Sequence, residues 1–247
     1  EVHGYHGEYA AYMESLEIDM RQNIEKDCLW QSPRYYNTNA PLDIALDYNN
    51  AINSLVVGQD GLESYNLLNS LFVLGVDNEY LKHVVLQFCK FYKQHRHKVV
   101  HYYFDHTAVK RDASGRVKYN EEVIAILREQ GWQVASHRIN QASNHMDRFK
   151  FWVALLSDDE LRLPKLRFDI DDCAQWRISA ENAGVKQHDK GFKKDKSTET
   201  KRDKDGNYLI RPEDSTHLSE AADCLMDGKF GKRLSQSGSS FVDVSYR

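Results

Sequence analysis

The sequence predicts a mixed α/β fold, a single sheet whose first three strands are antiparallel and whose faces carry helices. Three observations predict it. Between residues 43 and 74, three β-prone runs follow one another through short polar turns, as in a meander. Beyond residue 79 the apolar spacing becomes helical, and helical and strand-like runs then alternate. The resulting order, three strands followed by alternating helices and strands with a helix at the end, is that of a mixed sheet with helices packed on it.

Each element has its own local reason. Asp43-Ile44-Ala45-Leu46-Asp47 is a short apolar strand that ends on an acid, and Ser54 to Gln59 follows after an Asn-rich turn. Tyr65 to Leu74 is the third β-prone run. Leu81, Val84, Val85, Phe88 and Phe91 fall at helical spacing, so residues 79–92 form a helix that fades into the basic run Lys93–Lys98. Val99 to Phe104 is a fourth strand, again ended by an acid, Asp105. A helix from Asn120 to Gln130 stops at Gly131, a residue suited to the left-handed position past a helix end. A fifth strand over Trp132–Ser136, a helix over Ser143–Leu156 and a strand near Leu166–Ile170 complete the alternation. Gly184–Gly206 reads as a charged loop, with eight Lys/Arg against five Asp/Glu. The last helix starts at Ser215 or Thr216 and runs to about Met226.

Length and composition bound the function. At 247 residues the chain holds one sizeable domain with attachments, and 41% hydrophobic content is enough for a globular core. The net charge of −4 carries no global signature of nucleic-acid binding, so any such contact must come from local basic patches. Cys28, Cys89, Cys173 and Cys224 lack zinc or disulfide spacing and read as reduced thiols. No apolar run approaches the roughly 20 residues needed to span a bilayer, and no signal peptide opens the chain. An intracellular protein without membrane contact is expected. The opening Glu1 suggests a piece excised from a longer polypeptide.

The chemistry rests on carboxylates. Asp47 and Asp105 close the first and fourth strands, which are commonly neighbours in a mixed sheet, and sites form outside such strand ends. Glu220 and Asp223 lie three apart on the final helix and so share a face. Acids brought together from three distant parts of a chain repel one another unless a cation neutralises them, and hard oxygen donors select Mg²⁺ or Mn²⁺. Two such ions about 4 Å apart can activate water and offset charge on the leaving oxygen of a phosphodiester. Taken singly, each acid reads more readily as a turn or solvent-facing residue, and only the combination points to a metal site.

Leu42 to Gln59 resembles the opening β-hairpin of the nuclease domain of viral terminase large subunits, Tyr102-Tyr103-Phe104-Asp105 resembles that family's second acidic motif, and Ser215 to Leu225 is similar to its C-terminal motif. In that last motif a His or acid stands three residues before Asp-Ala-Leu. The resemblance covers roughly residues 41–230 and implies an RNase H-like fold and an endonuclease that cuts double-stranded DNA concatemers during genome packaging. It implies Asp47, Asp105 and Asp223 as metal-binding and catalytic acids, with Glu220 as a fourth ligand or as the true third. RNase H-like Holliday-junction resolvases share the acid pattern, and a non-catalytic DNA-binding or assembly module on the same fold is a third possibility.

The sequence departs from the family in having Cys224 where Ala is commoner and Glu220 where Asp or His is usual. His217 is expected as an exposed residue of the helix's first turn, the alternative being a place behind a ligand or facing phosphate. No GxxxxGK[ST] loop is present, because Gly228-Lys229-Phe230-Gly231-Lys232-Arg233 has the wrong spacing and follows a helix. The resemblance therefore implies an ATPase domain upstream. Residues 1–40 would be its helical junction, with a possible amphipathic helix over residues 10–24, and residues 231–247 a tail. Portal and small terminase subunits are the implied partners, and the cytoplasm of an infected host cell the implied place. Lys186, Lys190, Lys193, Lys194 and Lys196 form the candidate DNA track, with the basic run Lys93–Lys98 as a second candidate. The plainer reading of both is a solvated surface.

Overall fold

The computed structural model describes residues 36–49, 51–75, 80–109, 118–140, 143–156, 163–188 and 191–235. Its central feature is a six-stranded sheet in the order β5-β4-β1-β2-β3-β6. The strands are β1 (Leu42–Tyr48), β2 (Ile52–Asp60), β3 (Ser64–Leu74), β4 (Val99–Phe104), β5 (Gln133–Arg138) and β6 (Lys165–Phe168). β1, β2 and β3 pair antiparallel, while β4 runs parallel to β1, β5 parallel to β4, and β6 parallel to β3. This is the expected mixed sheet with antiparallel first three strands. Five helices accompany it among the described residues: α1 (Tyr80–Phe91), α2 (Tyr119–Glu129), α3 (His145–Leu156), α4 (Ala174–Glu181) and α5 (His217–Ser235).

β1 shows why the sheet sits in the middle. Successive side chains of a strand point to opposite faces, so Leu42, Ile44 and Leu46 enter one core with α1 and α2, through Val84, Val85, Phe88, Val123 and Leu127. Ala45 faces the other core, built from Trp152 and Leu155 of α3, Trp176 of α4, and Leu218, Ala222, Leu225 and Met226 of α5. Both faces of β1 are thus covered, as an apolar run with little alternation requires. The odd-numbered positions Asp43, Ala45 and Asp47 share the α5 face.

Gly131 adopts φ +84° directly after α2, with its N–H on Arg128 O and that of Trp132 on Leu127 O. It terminates the helix in the way its position in the sequence suggests. Gly228 serves packing instead. A Cβ there would stand 2.8 Å from Tyr103 Cδ1 and 3.0 Å from Ile139 Cδ1, so α5 approaches the sheet as closely as its glycine permits.

Three expectations change. The stretch 184–206 is not simply a loop, since β7 (Gly184–His188) and β8 (Gly191–Asp195) form a separate antiparallel hairpin. In β8 Lys194 is buried between the partly covered Lys193 and Asp195, which a count of charges does not reveal. The final helix continues to Ser235, beyond both Met226 and the expected boundary at 230, because Phe230 is buried against Tyr65. Helix α4 has no counterpart among the expected elements. The helix expected over residues 10–24, most of the proposed junction 1–40, and residues 236–247 of the tail lie outside the described residues. Among the described residues no helix is long and apolar enough to cross a membrane.

Candidate functional site

Parallel pairing of β1 with β4 aligns Leu42 with Val100 and Ala45 with Tyr103. Two residues further along each strand stand Asp47 and Asp105, at the carboxyl ends of adjacent parallel strands. α5 packs across this end of the sheet and presents His217 to Asp47, with Nδ1 2.7 Å from Oδ2. The contact joins residues 170 positions apart. His217 is therefore not the exposed first-turn residue expected. It is 1% exposed, while the Asp47 side chain keeps 24% of its surface. Burial pushes the imidazole pKa down, but the bond and charge of Asp47, helped by Glu199, more than offset this and leave it raised.

Glu220 lies one helical turn beyond His217, on the same side of α5. Lys196 Nζ stands 2.9 Å from its Oε2 and Lys194 Nζ 3.1 Å from its Oε1, with Arg148 4.0 Å away. Burial alone would raise the Glu220 pKa, but these three cations pull it far below the usual carboxylate range. Oε1 of Glu220 is nonetheless buried without a hydrogen bond, Lys194 meeting it by charge only. Burial disfavours the charge on Lys196, whereas Glu220 first and then Asp47 and Glu199 favour it more strongly, so its pKa is raised. Asp47, His217, Lys196, Glu199 and Glu220 thus form one electrostatic neighbourhood. Glu199 enters it through Thr216, whose hydroxyl donates to the Glu199 carboxylate.

Asp223 is 1% exposed, receives the Trp152 indole N–H at 2.7 Å on Oδ1 and Lys194 Nζ at 2.6 Å on Oδ2, and has Arg148 at 3.6 Å. Glu220 and Asp223 share Lys194 and Arg148 in one ion cluster between α3, α5 and β8, and Glu220 has Lys196 besides. Asp105 is held by its own turn, Oδ1 accepting from the Thr107 N–H at 2.8 Å and the Thr107 hydroxyl at 2.6 Å. Burial raises the Cys224 thiol well above its ordinary pKa, Asp105 adding to the rise. Asp227 itself is bound to the Ser143 N–H at 3.0 Å.

The acids are thus neutralised by the chain's own cations, which the sequence does not foretell. Lys194, expected on a DNA track, is buried against Asp223 and Ser219 and offers no ammonium to a phosphate. Lys196 points to Glu220, though its side chain is 45% exposed. Lys186 and Lys193 are cross-strand partners on the outer side of the β7–β8 hairpin, and Lys190 lies outside the described residues. The donors are hard oxygens of the kind a divalent cation takes, but Glu220 is already matched by the ammoniums of Lys194 and Lys196. Among the described residues, however, no group of three His, Cys, Asp or Glu side chains stands close enough together to hold a metal ion.

No protein-family model matches the sequence, and no curated protein does. Solved structures do. The large terminase of a thermophilic bacteriophage is similar over 84% of this chain and 45% of that one, with 14% identity and a TM-score of 0.46. The chain thus spans less than half the length of that terminase. The large-terminase (g2p) nuclease domain of bacteriophage SPP1, solved with bound Mn, is 14% identical over 76% of this chain and 86% of that one, with a TM-score of 0.40. RuvC of T. thermophilus, solved with a Holliday junction, is 16% identical over 49% and 79% of the two chains, with a TM-score of 0.31.

Proposed function

We propose that this chain is a metal-dependent endonuclease acting on double-stranded DNA, of the terminase large-subunit kind, with Asp47, Asp105 and Glu220 as its metal-binding and catalytic acids. The observation that supports it most is the Asp47–His217 contact. It brings the start of the sheet and the last helix to one strand end, next to the end of β4 that Asp105 follows, with Glu220 one turn further along the same helix. Mg²⁺ or Mn²⁺, two ions in the full arrangement, would supply the activation of water and the neutralisation of the departing 3′-oxygen.

The protein's own residues prepare that chemistry. His217 fixes the Asp47 carboxylate from a buried position, and Thr107 fixes that of Asp105. Lys186 and Lys193 extend from the neighbouring hairpin and provide phosphate contacts independent of base sequence. Asp223 keeps Lys194 and Trp152 in place, and through them the seating of α5. In the whole polypeptide an upstream ATPase domain, portal and small terminase subunit are the expected partners, and DNA concatemers in an infected cell the expected substrate.

The test is cleavage of supercoiled plasmid in Mn²⁺ or Mg²⁺ by the chain and by Asp47→Asn, Asp105→Asn and Glu220→Gln. Nicking and linearisation by the parent, with a fall of about 100-fold or more in each folded variant, is the expected result. Equal activity in all four refutes the site. A second reading is favoured by one specific observation: Lys194, Lys196, Arg148 and His217 already neutralise the acids. On that reading the chain binds DNA without cutting it, and plasmid is retarded on a gel but stays supercoiled with either metal.

A further inference from the structure

We propose that the cavity at the end of α1 binds an unpaired nucleotide of a single-stranded nucleic acid, with the base in the cavity and the phosphates on the basic turn after the helix. The inference stands apart from the metal reading above, because the cavity lies on the other face of the sheet. It is lined in part by Leu68, which belongs to the core of α1 and α2, whereas Asp47 and His217 meet on the α5 face.

The cavity holds about 280 Å³, near the lower end for small-molecule sites. Tyr36, Phe91 and Tyr92 supply aromatic walls, and Phe91 is 53% exposed. These walls are fixed before any ligand arrives. The Ala40 carbonyl can only accept, so His95 carries its proton on Nε2, 2.9 Å away, and its Nδ1 accepts from the Tyr36 hydroxyl at 2.9 Å. The Thr38 carbonyl accepts the N–H groups of Arg96 and His97, and the Asp172 carbonyl accepts the N–H and hydroxyl of Ser70.

The turn beside the cavity is basic. No Asp or Glu occurs from Tyr80 to Lys98, and Lys90, Lys93 and Arg96 are exposed. Cations at a helix end can simply meet its terminal carbonyls, but Lys98 fills that role, donating to Tyr92 O at 2.9 Å and Lys93 O at 3.0 Å. Lys93 and Arg96 flank the wall residues Gln94 and His95 in the chain. The charged group of the wall itself is Asp172. A fitting ligand therefore needs flat apolar faces, N–H donors on its edge and negative charge outside. A nucleotide has all three: its base stacks on aromatic rings, its N–H groups meet Asp172 and Gln94, and its phosphates meet Lys93 and Arg96. An aromatic residue in an acidic peptide matches the rings and the rim but brings carboxylates toward Asp172.

The test is fluorescence anisotropy of a labelled single strand of about 15 nucleotides, titrated in EDTA with the 247-residue chain so that metal-dependent cleavage cannot intervene. Phe91→Ala should weaken binding about fivefold or more, whereas Phe91→Trp should bind at least as tightly as the parent. Lys93→Gln with Arg96→Gln should lower the salt slope by about 1.4. An abasic strand of the same length should bind parent and Phe91→Ala alike, and thermal melting checks that each variant is folded. Equal binding of the normal strand by the parent and folded Phe91→Ala overturns the proposal, as does an abasic strand that binds the parent as well as the normal one. Tighter binding of a labelled Glu-rich peptide bearing one Trp overturns it in favour of a protein partner. Failure of plasmid cleavage sinks the nuclease reading alone.

Discussion

Replacing Asp223 by Asn tests whether this acid holds the cluster of α3, α5 and β8 together through Lys194. The change keeps the shape of the side chain and the oxygen that accepts the Trp152 indole N–H at 2.7 Å. It turns an amide NH₂ toward Lys194, whose ammonium now sits 2.6 Å from Asp223 Oδ2 and is entirely buried. Removing one partner of a buried ion pair costs about 3–5 kcal/mol, because the remaining charge is left uncompensated. Glu220 stays 3.1 Å from Lys194, which places the expected loss at the lower end, about 3 kcal/mol. In a chain of this size that corresponds to a fall in melting temperature of roughly 6–12 °C. Urea denaturation followed by tryptophan fluorescence measures it. The double variant Lys194→Met/Asp223→Asn removes the stranded charge and should recover about 1 kcal/mol or more of the loss. A single variant within about 0.5 kcal/mol of the parent, or a strictly additive double variant, refutes the claim that Asp223 acts through Lys194.

Further outcomes follow from the same geometry. His217→Gln should destabilise by about 1–2 kcal/mol at acidic pH, because a raised imidazole pKa contributes stability in full below 6.5 and loses it as pH climbs through the folded value; denaturation midpoints that differ equally at acidic and alkaline pH would contradict this. The Glu220 carboxyl has the opposite sign, its depressed pKa contributing above 4.5 and failing only in strong acid, so Glu220→Gln should flatten the acid limb of the stability profile. Lys186→Glu with Lys193→Glu should weaken binding to unrelated duplexes about equally and lower the salt slope by about 2, and an unchanged slope in fluorescence anisotropy would remove the hairpin from the DNA path. Gly58→Ala drives its new methyl into the Tyr65 hydroxyl, which donates to Asp43, and should cost about 1–3 kcal/mol in thermal melts.

Much of the sheet is legible in the sequence because periodicity and turn chemistry are local. β1 to β4 lie within two residues of the runs that predict them, and the acids at their ends are visible as the last polar residue after an apolar stretch. Glu220 and Asp223 are legible as a pair but not as separate roles. Which cations each acid of an i, i+3 pair meets depends on the roll of α5 against the sheet, where Gly228, Phe230 and Trp152 make its close contacts. Helix α4 escapes detection because only Trp176, Ser179 and Ala180 of its eight residues are buried, too few to show a stripe. Lys194 reads like any lysine in a charged run, and only the two-residue period of a hairpin sends it inward while Lys193 stays out. His217 reads as exposed from its position in the first helical turn, yet its partner comes from the other end of the chain.

α5 is fastened near both ends to the same strand. His217 meets Asp47, and Lys229, twelve positions later, sits 2.6 Å from Asp43 and 2.8 Å from Asp60. Those positions are about 18 Å apart along the helix axis. The helix is in effect a beam with a hinge pin of charge at its far end. A tilt of about 5° around Lys229 would carry the imidazole roughly 1.6 Å, enough to break its bond to the carboxylate. Whatever presses on the back of this beam therefore has mechanical leverage over the acids at its front.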